Sequence, residues 1–107
     1  MKEFITYDLN SDLSRGDITI EVEKVLPDFH WREGDSDAQG LYISGNNNDH
    51  VTVQLWLSEK PVEMFVSFRT AWESDKDRCN KKEELIKLIE TVFIPSIGKI
   101  IKKSESE

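Results

Sequence analysis

The chain has 107 residues, a single cysteine and a formal net charge of −7. That length holds one domain and one core, burying roughly 65% of the unfolded surface, enough to fold without metal or disulfide staples. Cys79 alone excludes an internal disulfide and a four-thiolate metal site, and no stretch reaches the roughly 18 apolar residues of a membrane-spanning helix.

The charge is unevenly placed. Residues 1–77 carry 16 acidic and 7 basic side chains, a balance of −9, whereas residues 78–107 carry 5 acidic and 7 basic ones, a balance of +2. Such a field repels nucleic acid and anionic lipid and draws basic proteins. The N-terminal residues 1–8 contain no apolar run of signal-peptide length, so a cytoplasmic protein is expected, with neither nucleic acid nor membrane as partner.

In chain order, residues 4–9 suggest an edge strand. Residues 14–26 fit two patterns. Residues 17–23 alternate as a strand would, yet Ile18, Val22, Val25 and Leu26 share one helical face, with Ser14 and Asp17 placed as a capping box. The run exceeds ten residues before Pro27, and its length favours the helix. Residues 29–32 and 41–44 are short strand candidates separated by the turn-rich Glu33-Gly34-Asp35-Ser36-Asp37. The strongest element is a β-hairpin. Val51, Val53, Leu55 and Leu57 alternate with Thr52, Gln54 and Trp56, and after Ser58-Glu59-Lys60-Pro61 the residues Val62, Met64, Val66 and Phe68 alternate with polar neighbours and Phe65. One face is aliphatic and belongs to the core. The other carries Trp56 and Phe65, joined by Tyr42 if Leu41 and Ile43 point inward.

A C-terminal helix is expected from Asn80, read as an N-cap with Glu83 completing a capping box. Leu85, Leu88, Ile89, Val92 and Phe93 recur at helical spacing, Pro95 should end or kink the helix near Ile94, and Ile97, Ile100 and Ile101 suggest another turn or two. The sum is an α+β two-layer sandwich: an antiparallel meander of four to five strands with an N-terminal and a C-terminal helix. A single domain should span residues 1–103, with residues 104–107 a disordered tail.

Catalytic chemistry is hard to find. Asp35-Ser36-Asp37-Ala38-Gln39-Gly40 matches positions 1, 3 and 6 of a calcium-binding EF-hand loop, but Gln39 and Asn46 stand where Asp or Asn and a bidentate Glu are needed. Asp35 and Asp37 could still serve a metal-assisted hydrolase, which would need a second pair of convergent carboxylates. Cys79 lies near a helix start beside Arg78, Lys81 and Lys82, and His30 and His50 have no recognisable base signature around them. No phosphate-cradling glycine loop is present. The reading is a binder without catalytic residue, metal or cofactor.

Two features remain: an acidic lip, formed by residues 33–37 and 46–49, and the aromatic set of Tyr42, Trp56 and Phe65, with Trp31 and Trp72 near it. Aromatic anchors beside carboxylates that can be desolvated are how tight protein interfaces are built. The expected partner-binding residues are Glu33, Asp35, Asp37 and Asp49 for charge, with Trp31, Tyr42 and Trp72 as anchors. In size, acidity, helix–meander–helix order and stretches such as Trp31-Arg32-Glu33-Gly34-Asp35-Ser36-Asp37 and Tyr42-Ile43-Ser44-Gly45, the chain resembles the small immunity proteins of bacterial contact-dependent inhibition and related polymorphic toxin systems. The resemblance covers residues 14–103. It implies a cytoplasmic protein that binds one cognate toxin domain, often a basic nuclease, and blocks it; a monomer or weak dimer is expected. A homodimeric structural subunit burying Trp56 and Phe65 is the other non-catalytic alternative.

Overall fold

The computed structural model describes residues 2–107. Six strands form one antiparallel sheet: β1 (Phe4–Asn10), β2 (His30–Ser36), β3 (Gly40–Asn46), β4 (Thr52–Trp56), β5 (Val62–Ser67) and β6 (Lys99–Ser106), in spatial order β2-β3-β4-β5-β1-β6. The expected α+β two-layer sandwich is present, with six strands rather than four or five.

Alternation decides the register. Ile5, Tyr7 and Leu9 of β1, Val53 and Leu55 of β4, and Val62, Met64 and Val66 of β5 all point to one side and are buried. Leu55 pairs with Met64, and Met64 with Tyr7, so the aliphatic row predicted for the hairpin runs on into β1. β1 is interior, because β6 pairs along its outer side from Phe4↔Ser106 to Asn10↔Lys99. The expectations of an edge strand at residues 4–9, helical turns at Ile100 and Ile101, and a disordered tail from residue 104 give way here to a sheet edge. Every residue of β6 is exposed, so no buried alternation announces it.

Residues 14–26 fold as helix α1 (Arg15–Val25). Ser14 caps it, its Oγ accepting the Asp17 N–H at 3.2 Å, and Ile18 and Val22 enter the core while Ile20 stays exposed. The second helical stretch differs from expectation in start and phase. Helix α2 (Arg78–Leu88) begins two residues before Asn80, with Asp77 at the cap and no side-chain capping bond. Its start is held instead by Arg78, which donates through Nε to the Ala71 carbonyl at 2.7 Å and through Nη2 to the Phe68 carbonyl and to Glu3 Oε2, at 2.8 and 2.6 Å.

A π-helical turn (Ile89–Phe93) and a last helical turn α3 (Ile94–Ile97) follow without a break, with Pro95 just after the π turn. The π turn holds one extra residue, which shifts the helical phase. Phe93, Ile94 and Ile97 all reach the core with Ile89, while Leu88 and Val92, expected inside, are exposed. Lys82 is buried in their stead, its ammonium 5.2 Å from the centre of the Phe68 ring, and burial lowers its pKa. On the same side of the sheet the buried Tyr7 donates to Glu90 Oε2 at 2.7 Å. Lys103 of β6 meets the same oxygen at 2.7 Å, fastening the edge strand to the helical layer, and burial followed by the Glu90 carboxylate raises the Tyr7 pKa strongly.

Candidate protein-binding face

All helices pack on one side of the sheet, and the other side is left open. Pairing places Gly34, Tyr42, Trp56, Glu63, Asp8 and Lys102 in one row across this open face, with Arg32, Ser44, Gln54, Phe65, Thr6 and Ser104 in the next. Tyr42, Trp56, Phe65 and Phe4 are half-buried. Tyr42 and Trp56 lie 5.0 Å apart between ring centres and Phe4 stacks on Phe65 at 5.6 Å, so the face carries two aromatic pairs separated by polar residues. No helix forms a third layer over them.

Gly34 makes the first pair possible. A Cβ there would stand 2.3 Å from Tyr42 Cζ, so the ring lies flat on β2 only because residue 34 has no side chain. Residues 33–35, expected in a turn, are therefore strand, and the β2–β3 turn is confined to residues 37–39.

The predicted binding residues are not brought together. Asp35 and Asp37 lie at the sheet end formed by the β2–β3 turn. Asp49 lies in the β3–β4 turn, at the opposite end of seven-residue β3, roughly 20 Å away at about 3.4 Å per residue. The single acidic lip is thus two separate sites, because consecutive hairpin turns alternate between sheet ends. Trp72 is at the Asp49 end, in a left-handed backbone conformation (φ 48°) with its ring stacked on Phe68, where it borders a shallow groove with Lys81, Glu84, Leu85 and Leu88. Trp31 is on the helix side, stacked on Phe29 and donating its indole N–H to the Leu26 carbonyl at 3.0 Å. Glu33 is also on that side, accepting from Thr19 Oγ1 at 2.5 Å with Arg15 Nε at 3.8 Å, so it ties β2 to α1. Of the seven, Tyr42 alone is on the open face; Asp35 has the helix-side phase of Glu33, and Asp37 is in the β2–β3 turn at the sheet end.

Sequence reading missed Asp8, Glu59 and Glu63. Asp8 and Glu63 face each other across β1 and β5, a like-charge juxtaposition that opposes folding, and Glu63 is also paired with Trp56. Among the described residues the ion pairs engage Glu3, Glu33, Asp75, Glu90 and Glu105. Asp8, Asp35, Asp37, Glu59 and Glu63 are in none. The only sequence signal for them was the polar phase of the hairpin, which names the open face without saying what the face is for. No group of three or more His, Cys, Asp or Glu side chains able to hold a metal occurs among the described residues, and no helix there is long and apolar enough to cross a membrane. In comparisons with known proteins, the chain matches no family model, no curated protein and no solved structure.

Proposed function

We propose that this protein is a stoichiometric inhibitor of a basic protein, an immunity-type binder that docks its partner on the open face of the sheet. The observation that carries the reading is the half-buried Tyr42–Trp56 pair on an uncovered sheet face, bordered by carboxylates such as Glu59 and Glu63 that are in none of the ion pairs among the described residues. Aromatic anchors supply contact area at little entropic cost, and the acidic rim speeds encounter with a cationic surface and rejects anionic competitors. A nuclease domain, which must hold phosphates, is a basic partner of this kind, and a carboxylate-rim inhibitor would occupy its substrate site.

The test is to co-express the chain with the C-terminal domain of the protein encoded immediately upstream. The reading expects that domain to arrest growth by itself, growth to recover on co-expression, and a 1:1 complex to elute from a sizing column. Replacing both Tyr42 and Trp56 by Ala should weaken the complex by at least ~2 kcal/mol, about 30-fold in Kd. A harmless neighbouring domain, or an undiminished complex with the double variant, would count against it.

A further inference from the structure

At the acidic end of the open face, Trp56 and Glu63 meet the β2–β3 turn and the β4–β5 loop around a cleft of about 280 Å³, lined also by Ala38, Gln39, Ser58 and Glu59. Its two walls are tied together. Ser58 Oγ accepts the Leu41 N–H at 2.7 Å, Leu57 N–H donates to the Leu41 carbonyl at 3.0 Å, and Gly40, at φ 81°, leaves the space that Ser58 fills. The cleft is therefore held in shape by the hairpins.

Its chemistry is unbalanced in one direction. The loop contains one cation, Lys60, between two glutamates in sequence, and Lys60 points away to donate to the Ser11 carbonyl beyond β1. Glu59 and Glu63 are thereby left without an ion pair among the described residues, while Asp8, beside Glu63, has Lys102 opposite it on β6. Beside these carboxylates is the half-buried indole of Trp56. An aromatic wall with flanking carboxylates and no internal cation suits a planar cation, which stacks on the ring while its N–H groups meet the carboxylates. A guanidinium satisfies both demands; an ammonium, compact and more strongly hydrated, satisfies the carboxylates but stacks poorly.

We propose that this cleft receives an arginine side chain of the protein partner, with the guanidinium on Trp56 between Glu59 and Glu63. The proposal rests on the inhibitor reading for the identity of the ligand's owner and adds the residue type that enters the site.

It is tested on this protein alone, by titrating the ¹⁵N-labelled chain with the peptide acetyl-Gly-Arg-Gly-amide and following the Trp56 indole N–H, identified by its loss in Trp56→Phe. The expected result is a saturable shift in the millimolar range, at least ~10-fold weaker for the matching lysine peptide and absent for the citrulline peptide, which keeps the shape and lacks the charge. The Glu59→Gln, Glu63→Gln double variant, altered only at exposed positions, should bind the arginine peptide at least ~10-fold more weakly. No saturation, equal binding of lysine, or an equal response to citrulline would overturn the proposal, as would unchanged affinity in the double variant. Because no toxin enters this experiment, its failure beside a successful inhibitor pairing removes the cleft and leaves the docking face. Success without such a pairing leaves an arginine site whose owner is a different protein.

Discussion

Gly34 shows how one side chain's absence builds the candidate site. Its missing Cβ is the seat of the Tyr42 ring, so Gly34→Ala should cost roughly 1–3 kcal/mol of stability by overpacking and should also displace Tyr42 from Trp56. Near-UV circular dichroism of the folded variant reports the second effect separately from the urea midpoint, which reports the first. Arg78 has the opposite character, a single side chain joining the Ala71 and Phe68 carbonyls and Glu3 at the junction of β1, the residue 68–77 segment and α2. Arg78→Ala removes the Arg78 donors from the Ala71 carbonyl and from the Phe68 carbonyl, which keeps the Ala71 N–H, and should cost roughly 1–3 kcal/mol. Its partner carries a pH signature. The Arg78 hydrogen bond holds the Glu3 carboxyl below its ordinary value of 4.5. A carboxyl whose pKa is lower in the folded state contributes stability that is complete above the unfolded value and is lost as pH falls through the folded one. The gap in urea midpoint between wild type and Glu3→Gln should thus hold steady from pH 7 to about pH 5.5 and close below about pH 4.5. A gap that persists at pH 3 would show that the contact acts without its charge.

At the scale of elements, the parts legible in the sequence were those whose period and burial agree. The hairpin of β4 and β5 was readable because Val53, Leu55, Met64 and Val66 alternate against polar neighbours, and α1 because Ile18 and Val22 share a face behind the Ser14 cap. Three elements hid for separate physical reasons. β2 looked like a turn at Glu33-Gly34-Asp35 because the glycine serves ring packing rather than chain reversal. The C-terminal helix changes phase at its π turn, so a single 3.6-residue period placed Val92 inside and overlooked Ile94. β6 has no buried face at all; its strand conformation comes from main-chain pairing with β1, some ninety residues earlier in the chain, supported by Lys103 on Glu90. That origin has a measurable consequence. Ending the chain at Gly98 removes the paired edge and exposes the main-chain groups of β1, whose Ile5, Tyr7 and Leu9 are core residues, and should lower stability by roughly 2 kcal/mol or more. A truncated chain with an unchanged urea midpoint would mean that residues 99–107 are the dispensable tail their composition suggests.

For the whole molecule, the arrangement of charge matters more than its sum of −7. The described ion pairs lie on the helical side of the sheet or at the Arg78 junction, where they join elements of the fold. Among the carboxylates outside them, Asp8, Asp35, Asp37, Glu59 and Glu63 lie toward the sheet end that carries the β2–β3 turn and the β4–β5 loop, with Lys102 opposite Asp8. These carboxylates add negative charge beside the aromatic face, and such charge acts on encounter before any contact forms. They divide by position. Asp35, Asp37, Glu59 and Glu63 are all exposed, but Asp35 and Asp37 are at the β2–β3 end of the sheet, whereas Glu59 and Glu63 line the cleft with Trp56. Replacing Asp35 and Asp37 by Asn should leave the urea midpoint unchanged and slow association with a basic partner, with dissociation little altered. Replacing Glu59 and Glu63 by Gln should act mainly on dissociation, since a desolvated charge contact is lost. Salt separates the two further. The Debye length is about 10 Å at 0.1 M ionic strength and shrinks as salt rises, so association of the wild type should slow between 0.05 and 0.5 M, and the Asp35, Asp37 double variant should show a shallower dependence. Stopped-flow association and dissociation rates for the three proteins at both salt concentrations decide the matter. Association indifferent to salt and to the Asp35 and Asp37 substitutions would remove steering from the mechanism and leave Tyr42, Trp56 and Phe65 to carry recognition by contact alone.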